Sequence, residues 1–429
     1  KKAFMNEDYR ICRDMCLTAE SEGDDEIRMI LCECCLAIGI EEFADGKLRE
    51  CCETLDEAIE ESVERAEKIA ATNVRMTGCI KWTKGYASGL SNGEGEVIRF
   101  VSQGKSETEI EKIGDNNWAM SEPEHIAEFL EWSREVAPAD HYILVVAGHG
   151  NGWSPSADGT RGTLRDTDLG QYTTIEELCE GIERGGTTFR MIQMISCSAN
   201  AMEYITPLSQ YADYILASSH ISVMLSSELA FLKNELKDIK SDVDFEKSLS
   251  HYLNDINSDI KSNEAAKSET LDFILTECKS FAALNEAIAD FTKALVEVYE
   301  SEDKDVITTL EESIAKAYYL SQEALIPEEE ERRAYTYDIV DIARCAAKGC
   351  EALAEYAEAI ERRAEEARVK HCIRNLPAEV SEVYYGVTLT NAEKWAERGY
   401  EAAGYEQTLF NRETQWAEFL KRNNAEIRY

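Results

Sequence analysis

Two residues could do chemistry together: a histidine set among glycines and a cysteine at the end of an apolar run. His149 lies within Ala147-Gly148-His149-Gly150-Asn151-Gly152-Trp153, and Cys197 follows Phe189-Arg190-Met191-Ile192-Gln193-Met194-Ile195-Ser196. A thiol whose proton passes to a nearby imidazole is a strong nucleophile, and the imidazole can hand the proton on to a leaving group. Gly150 lets the backbone approach a reacting centre, and its N–H together with that of Cys197 could hold a developing oxyanion. Taken singly, each residue has a plainer explanation. A cysteine after a buried strand is more often a small core residue. The histidine is harder to dismiss, because glycines on both sides pack poorly. Together they say more: the histidine comes first, the cysteine 48 positions later (197 minus 149), and each ends an apolar segment.

The elements that must position them follow from pattern. His141–Val146 and Phe189–Ser196 read as short apolar strands, with Val74–Trp82, Glu96–Ser102 and Tyr214–Ser218 as further strands. Ile27–Ile40 contains another, and Asp56–Ala70 and Pro123–Val136 read as helices. Thr174–Arg184 reads as a helix in which Thr174 and Glu177 supply a capping box. Ser154–Gln171 reads as a polar loop. Alternation of strand and helix implies an α/β sandwich around a mainly parallel sheet, and in such sheets ligands bind beyond the C-terminal strand ends. His149 and Cys197 both fall there. From about Val243 the chain reads as largely helical, with Ile339–Ala367 as a long amphipathic segment and Pro327-Glu328-Glu329-Glu330-Glu331 as a charged loop. The division expected is 1–242 as an α/β core and 243–429 as a mostly helical part packed on it.

The chain has 429 residues, 45 Lys+Arg against 84 Asp+Glu, and a net charge of -39. That balance disfavours nucleic acid and anionic membrane surfaces as partners. It biases encounters toward basic partners without making a site. No run of about 18 apolar residues is present, so no membrane insertion is expected. The first residues, Lys1 to Asp8, lack the apolar stretch of a signal peptide. Hydrophobic residues make up 44%, enough for a sizeable core. Among the 14 cysteines, Cys32, Cys34, Cys35, Cys51 and Cys52 cluster in sequence. Their apolar surroundings favour small core residues over a soft-metal site. The many thiols suggest a reducing or anaerobic setting.

The segment Pro138 to Trp153, with His149, and the segment Phe189 to Glu203, with Cys197, resemble the clostripain-type cysteine peptidases of the caspase–gingipain–legumain clan. Tyr211 to Ser218 is similar to that family's next strand, and the order of histidine and cysteine is the caspase-type order. Asn116–Phe129 is similar to the segment before the histidine strand. Ser268–Leu295 and Trp416-Ala417-Glu418-Phe419-Leu420 are weakly similar to later segments. The resemblance implies a caspase-like α/β sandwich with a helical C-terminal extension. It implies His149 as general base and acid, Cys197 as nucleophile, and peptide-bond hydrolysis through a thioester acyl-enzyme. Peptide or protein is then the substrate, cut after Arg or Lys. It also implies a bacterial protein that is secreted or carried on the cell surface, activated by self-cleavage in the loop between histidine and cysteine, where Arg161 and Arg165 are the candidate sites. No cofactor is required by this chemistry, and no metal ligand set is assigned. Some members are activated by calcium, for which Asp158, Asp166 and Asp168 are candidates despite irregular spacing.

The sequence departs from the family at the candidate specificity pocket. Ile195 replaces an Asp two residues before the nucleophile, and Ser219 and His220 stand where the family carries an acid after the next strand. A desolvated basic side chain needs a paired carboxylate. Glu203, Asp213 or Glu228 would have to supply it from another direction. His125, His251 and His371 read as helical residues and His141 as the start of a strand. Two rival readings stay open: a catalytically idle scaffold, and a thiol enzyme such as an acyltransferase.

Overall fold

Apolar side chains at alternate positions in the middle of the chain divide between two hydrophobic clusters, and the sheet between those clusters carries the candidate residues on its ends. The computed structural model describes residues 74–82, 84, 94–102, 109–150, 152–153, 162–166, 168–220, 222, 231, 236, 239, 241–262, 271–317, 319–320, 336–374, 384–390 and 404–423. β1 (Met76–Trp82), β2 (Glu96–Ser102) and β3 (Glu109–Asp115) form an antiparallel sheet of their own. α1 (Pro123–Val136) begins with a proline, whose fixed φ suits a first helical turn. β4 (Ile143–Ala147) leads into the His149 turn. β5 (Thr163–Asp166) and β6 (Gln171–Thr173) make a small antiparallel ribbon. In α2 (Ile175–Gly185) the Thr174 hydroxyl accepts the Glu177 N–H and the Glu177 carboxylate accepts the Thr174 N–H, so the expected capping box is formed. β7 (Phe189–Ile195), α3 (Met202–Leu208) and β8 (Ala212–Ala217) follow.

The second half supplies α4 (Asp242–Ser262), β9 (Leu271–Glu277), α5 (Phe281–Glu300), α6 (Lys304–Ile314), β10 (Tyr319–Leu320) and β11 (Thr336–Asp338). It continues with α7 (Ile339–Gly349), α8 (Ala354–Ala367), β12 (Arg368–Arg374), β13 (Thr388–Thr390), α9 (Leu409–Thr414) and α10 (Trp416–Leu420). The central sheet has the order β12-β9-β8-β7-β4. β4, β7 and β8 are parallel; β9 and β12 join antiparallel at one side, so the sheet is mixed. On one face Met191, Tyr214, Leu216, Leu271, Phe273 and Leu275 pack against Phe245, Leu249, Tyr252 and Ile256 of α4. On the other, Ile192, Met194, Ile215 and Ala217 meet α2, α3, α5, α7 and α8. The period of two along each strand is what lets both faces be buried.

Several expectations are corrected. The 154–171 stretch is not all loop, since β5 lies in it and β6 begins at Gln171. β3 was not anticipated. Ile339–Ala367 is two helices: the ladder ends at Gly349 and Cys350, where a Cβ on Gly349 would meet Leu310 and Ser313. His371 is on β12, not in a helix. Ile27–Ile40, Asp56–Ala70, the cysteine cluster at 32–52 and Pro327–Glu331 lie outside the described residues.

Candidate active site

The β4–β7 ladder brings the two candidate segments side by side. Its Cα partners run from Ile143 with Met191 to Ala147 with Ile195, a constant offset of 48 (191 minus 143). His149 and Cys197 differ by the same 48 (197 minus 149) and each lies two residues past the last paired position. Gly148 N–H still donates to Ile195 O at 3.1 Å, so the segments remain joined as they leave the sheet. A Cβ on Gly150 would collide with Ser196 Oγ and come within 3.3 Å of Cys197 O, which is why glycine follows the histidine. Gly152 holds φ +67 while its own missing Cβ faces Ser198.

On its other side the histidine turn is bound to β5. Arg165 N–H donates to His149 O and Gly162 N–H to Gly152 O, both at 3.1 Å. β5 is in turn anchored by a buried ion pair, Lys81 Nζ to Asp166 Oδ2 at 2.5 Å, and Lys81 also donates to Asn116 O and Trp118 O. His149 is exposed, while Cys197 is half-buried. The packed turn desolvates the imidazole, although the residue reaches solvent. That effect first, and the Arg165 guanidinium second, hold His149 below the ordinary histidine value. Burial pushes the Cys197 thiol up, opposed by N–H donors to the sulfur from Ser222 and from Cys197 itself. Both shifts favour a neutral thiol and a neutral imidazole at rest.

The remaining predicted residues are placed as follows. Ile195 is buried at the end of β7. Ser219 and His220 are buried: the Ser219 hydroxyl accepts from Asn200 Nδ2 at 3.0 Å and stands 3.0 Å from Tyr384 OH, and His220 Nδ1 lies 3.1 Å from Asp272 Oδ1. Of the acids considered as replacements, buried Glu203 accepts from Tyr405 OH and Asp213 pairs with Arg190. Arg165 lies in β5, with its guanidinium over the Tyr172 ring at 5.9 Å. Asp166 faces Lys81, and Asp168 accepts the Lys84 N–H. Arg161, Asp158 and Glu228 lie outside the described residues. Sequence reasoning missed Asp272 and Tyr384. The signal for Asp272 was a carboxylate within the buried run Leu271-Asp272-Phe273-Ile274-Leu275, where an acid must have dedicated partners.

A family model described as the clostripain family, of C11 peptidases, matches residues 54–422. The chain belongs to this family. No match was found among curated proteins. Three solved structures share the fold of this clostripain-family chain at low identity. A secreted C11 cysteine protease from Bacteroides thetaiotaomicron, iotapain, is 13% identical over 83% of this chain and 94% of its own, with a TM-score of 0.56. A C11 protease of the same organism in complex with an irreversible peptide inhibitor is 15% identical over 84% and 94%, with a TM-score of 0.54. An inactive zymogen C11 protease from Parabacteroides distasonis is 14% identical over 83% and 93%, with a TM-score of 0.52. The fold is therefore the caspase-like sandwich, and the clostripain-family assignment makes the chain a cysteine-type peptidase. Among the described residues no helix is long and apolar enough to cross a membrane.

Proposed function

We propose that this peptidase works through Cys197 and His149. The observation that carries the reading is the shared offset of 48 between the β4–β7 ladder and the two residues beyond it. As the Cys197 sulfur bonds to the scissile carbonyl carbon, its proton passes to the imidazole. The tetrahedral oxyanion is held by the N–H groups of Gly150 and Cys197. The carbon–nitrogen bond then breaks as His149 protonates the leaving amine, leaving a thioester. Water, deprotonated by the same imidazole, adds to the thioester, and the acid product departs as the thiol regains its proton. The scheme requires no cofactor. EDTA should leave the rate unchanged, and strict dependence on added calcium would contradict it.

The substrate is a peptide, and the P1 preference is the open chemical question. Ile195 offers no charge, and the carboxylates of Asp272, Glu203 and Asp213 already have partners. We infer that Arg and Lys at P1 have no advantage conferred by these residues. A P1-scanning peptide library should show neutral residues cleaved at least as fast. Strong selection for Arg or Lys would overturn that inference and point to an acid elsewhere. Of the two self-cleavage candidates we favour Arg161 over Arg165, whose N–H is tied to His149 O; cutting there requires only that Arg be accepted at P1, not preferred. Active protein should yield two fragments and Cys197→Ala should stay intact; equal cleavage of both would discard self-processing. The secreted description of the Bacteroides thetaiotaomicron relative supports reading this chain as exported. Cell fractionation tests that, and retention in the cytoplasm would contradict it.

A further inference from the structure

Beneath the Cys197 turn lies a carboxylate with no exposed surface. Asp272, on β9, is 0% exposed. It accepts from the Ser218 hydroxyl at 2.7 Å, from the N–H groups of Ser219 and His220 at 3.0 and 3.1 Å, and from the Tyr384 phenol. His220 Nδ1 stands 3.1 Å from it. Burial alone would raise this carboxyl, yet the His220 ring and these hydroxyl donors bring it down to about 2, so it is an anion at any working pH. A buried anion with so many donors is a rigid post, because any movement of a donor leaves a charge unsatisfied.

What the post holds is the segment that follows β8. Its backbone is laced to the nucleophile's turn: Ser198 N–H donates to His220 O at 2.9 Å and Asn200 N–H to Ser218 O at 2.8 Å. Tyr384 belongs to a strap from the C-terminal part, which also accepts Asn200 Nδ2 at Gly386 O and donates from Thr388 Oγ1 to Asn200 O. The strap and the post thus grip the same few residues from opposite sides of the chain's length.

We propose that Asp272 is a positioning residue for the nucleophile: it fixes Ser218, Ser219 and His220, and the carbonyls of Ser218 and His220 in turn hold the N–H groups of Asn200 and Ser198 and with them the Cys197 turn. Asp272 acts through these backbone bonds and touches no substrate. The charge that organises this corner comes from the neighbouring strand. The inference rests on Cys197 as nucleophile, but its test reads the thiol directly.

The test is the pH dependence of Cys197 alkylation by iodoacetamide, followed by mass spectrometry of the peptide that contains it. In Asp272→Asn the alkylation rate at a fixed pH near 8 should fall about five- to tenfold, as expected when the charge-assisted hydrogen bonds that hold the turn are lost. Tyr384→Phe keeps the carboxylate and its backbone donors. It should shift the curve the same way by about twofold and keeps the idea testable should Asp272→Asn fail to fold. An unchanged alkylation curve in a folded variant of either kind overturns the proposal. A shifted curve in a protein that hydrolyses no peptide sinks the peptidase reading while leaving the positioning role intact.

Discussion

His149 and Cys197 occupy matching places on neighbouring parallel strands, each two residues past the paired ends Ala147 and Ile195. A parallel ladder keeps such positions adjacent without any help from the rest of the sequence, because its register cannot slip by one residue without turning every side chain to the wrong face. With Ile192 and Met194 buried on one face and Met191 and Gln193 on the other, a slip in β7 would carry Gln193, which accepts from Tyr252 OH at 3.1 Å, into the opposite apolar cluster. The spacing of the candidate pair is thus a consequence of core packing.

Gly150 is the point at which this adjacency is most sensitive. A Cβ at that position runs into Ser196 Oγ. Gly150→Ala should lower kcat/KM by about 100-fold through misplacement of the imidazole and of the backbone N–H beside it. Adding Ser196→Ala removes the obstructing oxygen and should recover much of the loss. Full activity in Gly150→Ala alone would show that the two turns do not need this close approach.

The pH profile should carry the signature of a depressed histidine. A lowered pKa leaves the imidazole neutral, and able to accept the thiol proton, below the ordinary value of 6.5. The acidic limb of kcat/KM should therefore fall below pH 6.5. Arg165→Gln removes the cation that contributes to this lowering, so the limb should move upward in pH, by less than burial contributes. A limb above 6.5 in the parent enzyme, or a downward move in the variant, would contradict the assignment.

Lys81 and Asp166 tie β1 to the strand that supports the histidine turn, and their side chains are 7% and 2% exposed. Lys81→Met would leave Asp166 as a buried charge without its cation, at a cost of about 3–5 kcal/mol. Chemical denaturation should show that loss. A change below 1 kcal/mol would mean that water already compensates the pair.

The parts of the fold that were legible in the sequence were those with strong local rules. The β7 strand and the capped helix that precedes it follow from an apolar run and a Thr–Glu pair. β3 escaped because Glu109-Ile110-Glu111-Lys112 carries three charges and is exposed on both faces, as a strand in a small sheet can be. β9 and β12 escaped because they lie among long helices and are completed only by pairing between distant parts of the chain, β9 with β8 and β12 with β9. The break at Gly349 was marked by its glycine, but only the approach of α6 shows why it is needed. At the site, His149 and Cys197 announced themselves by residue type. Asp272 did not, because its partners Ser218, His220 and Tyr384 are spread over 166 positions (384 minus 218) and only the fold collects them.

The most direct measurement compares peptide hydrolysis by the parent enzyme, Cys197→Ala and His149→Ala on one fluorogenic substrate, with folding checked by thermal denaturation. The account predicts that both variants stay folded and lose at least about a thousandfold in kcat/KM, since nucleophile and base act as a unit. A folded His149→Ala enzyme that retains near-parental hydrolysis, or a folded Cys197→Ala enzyme that does, would contradict the assignment of these two residues.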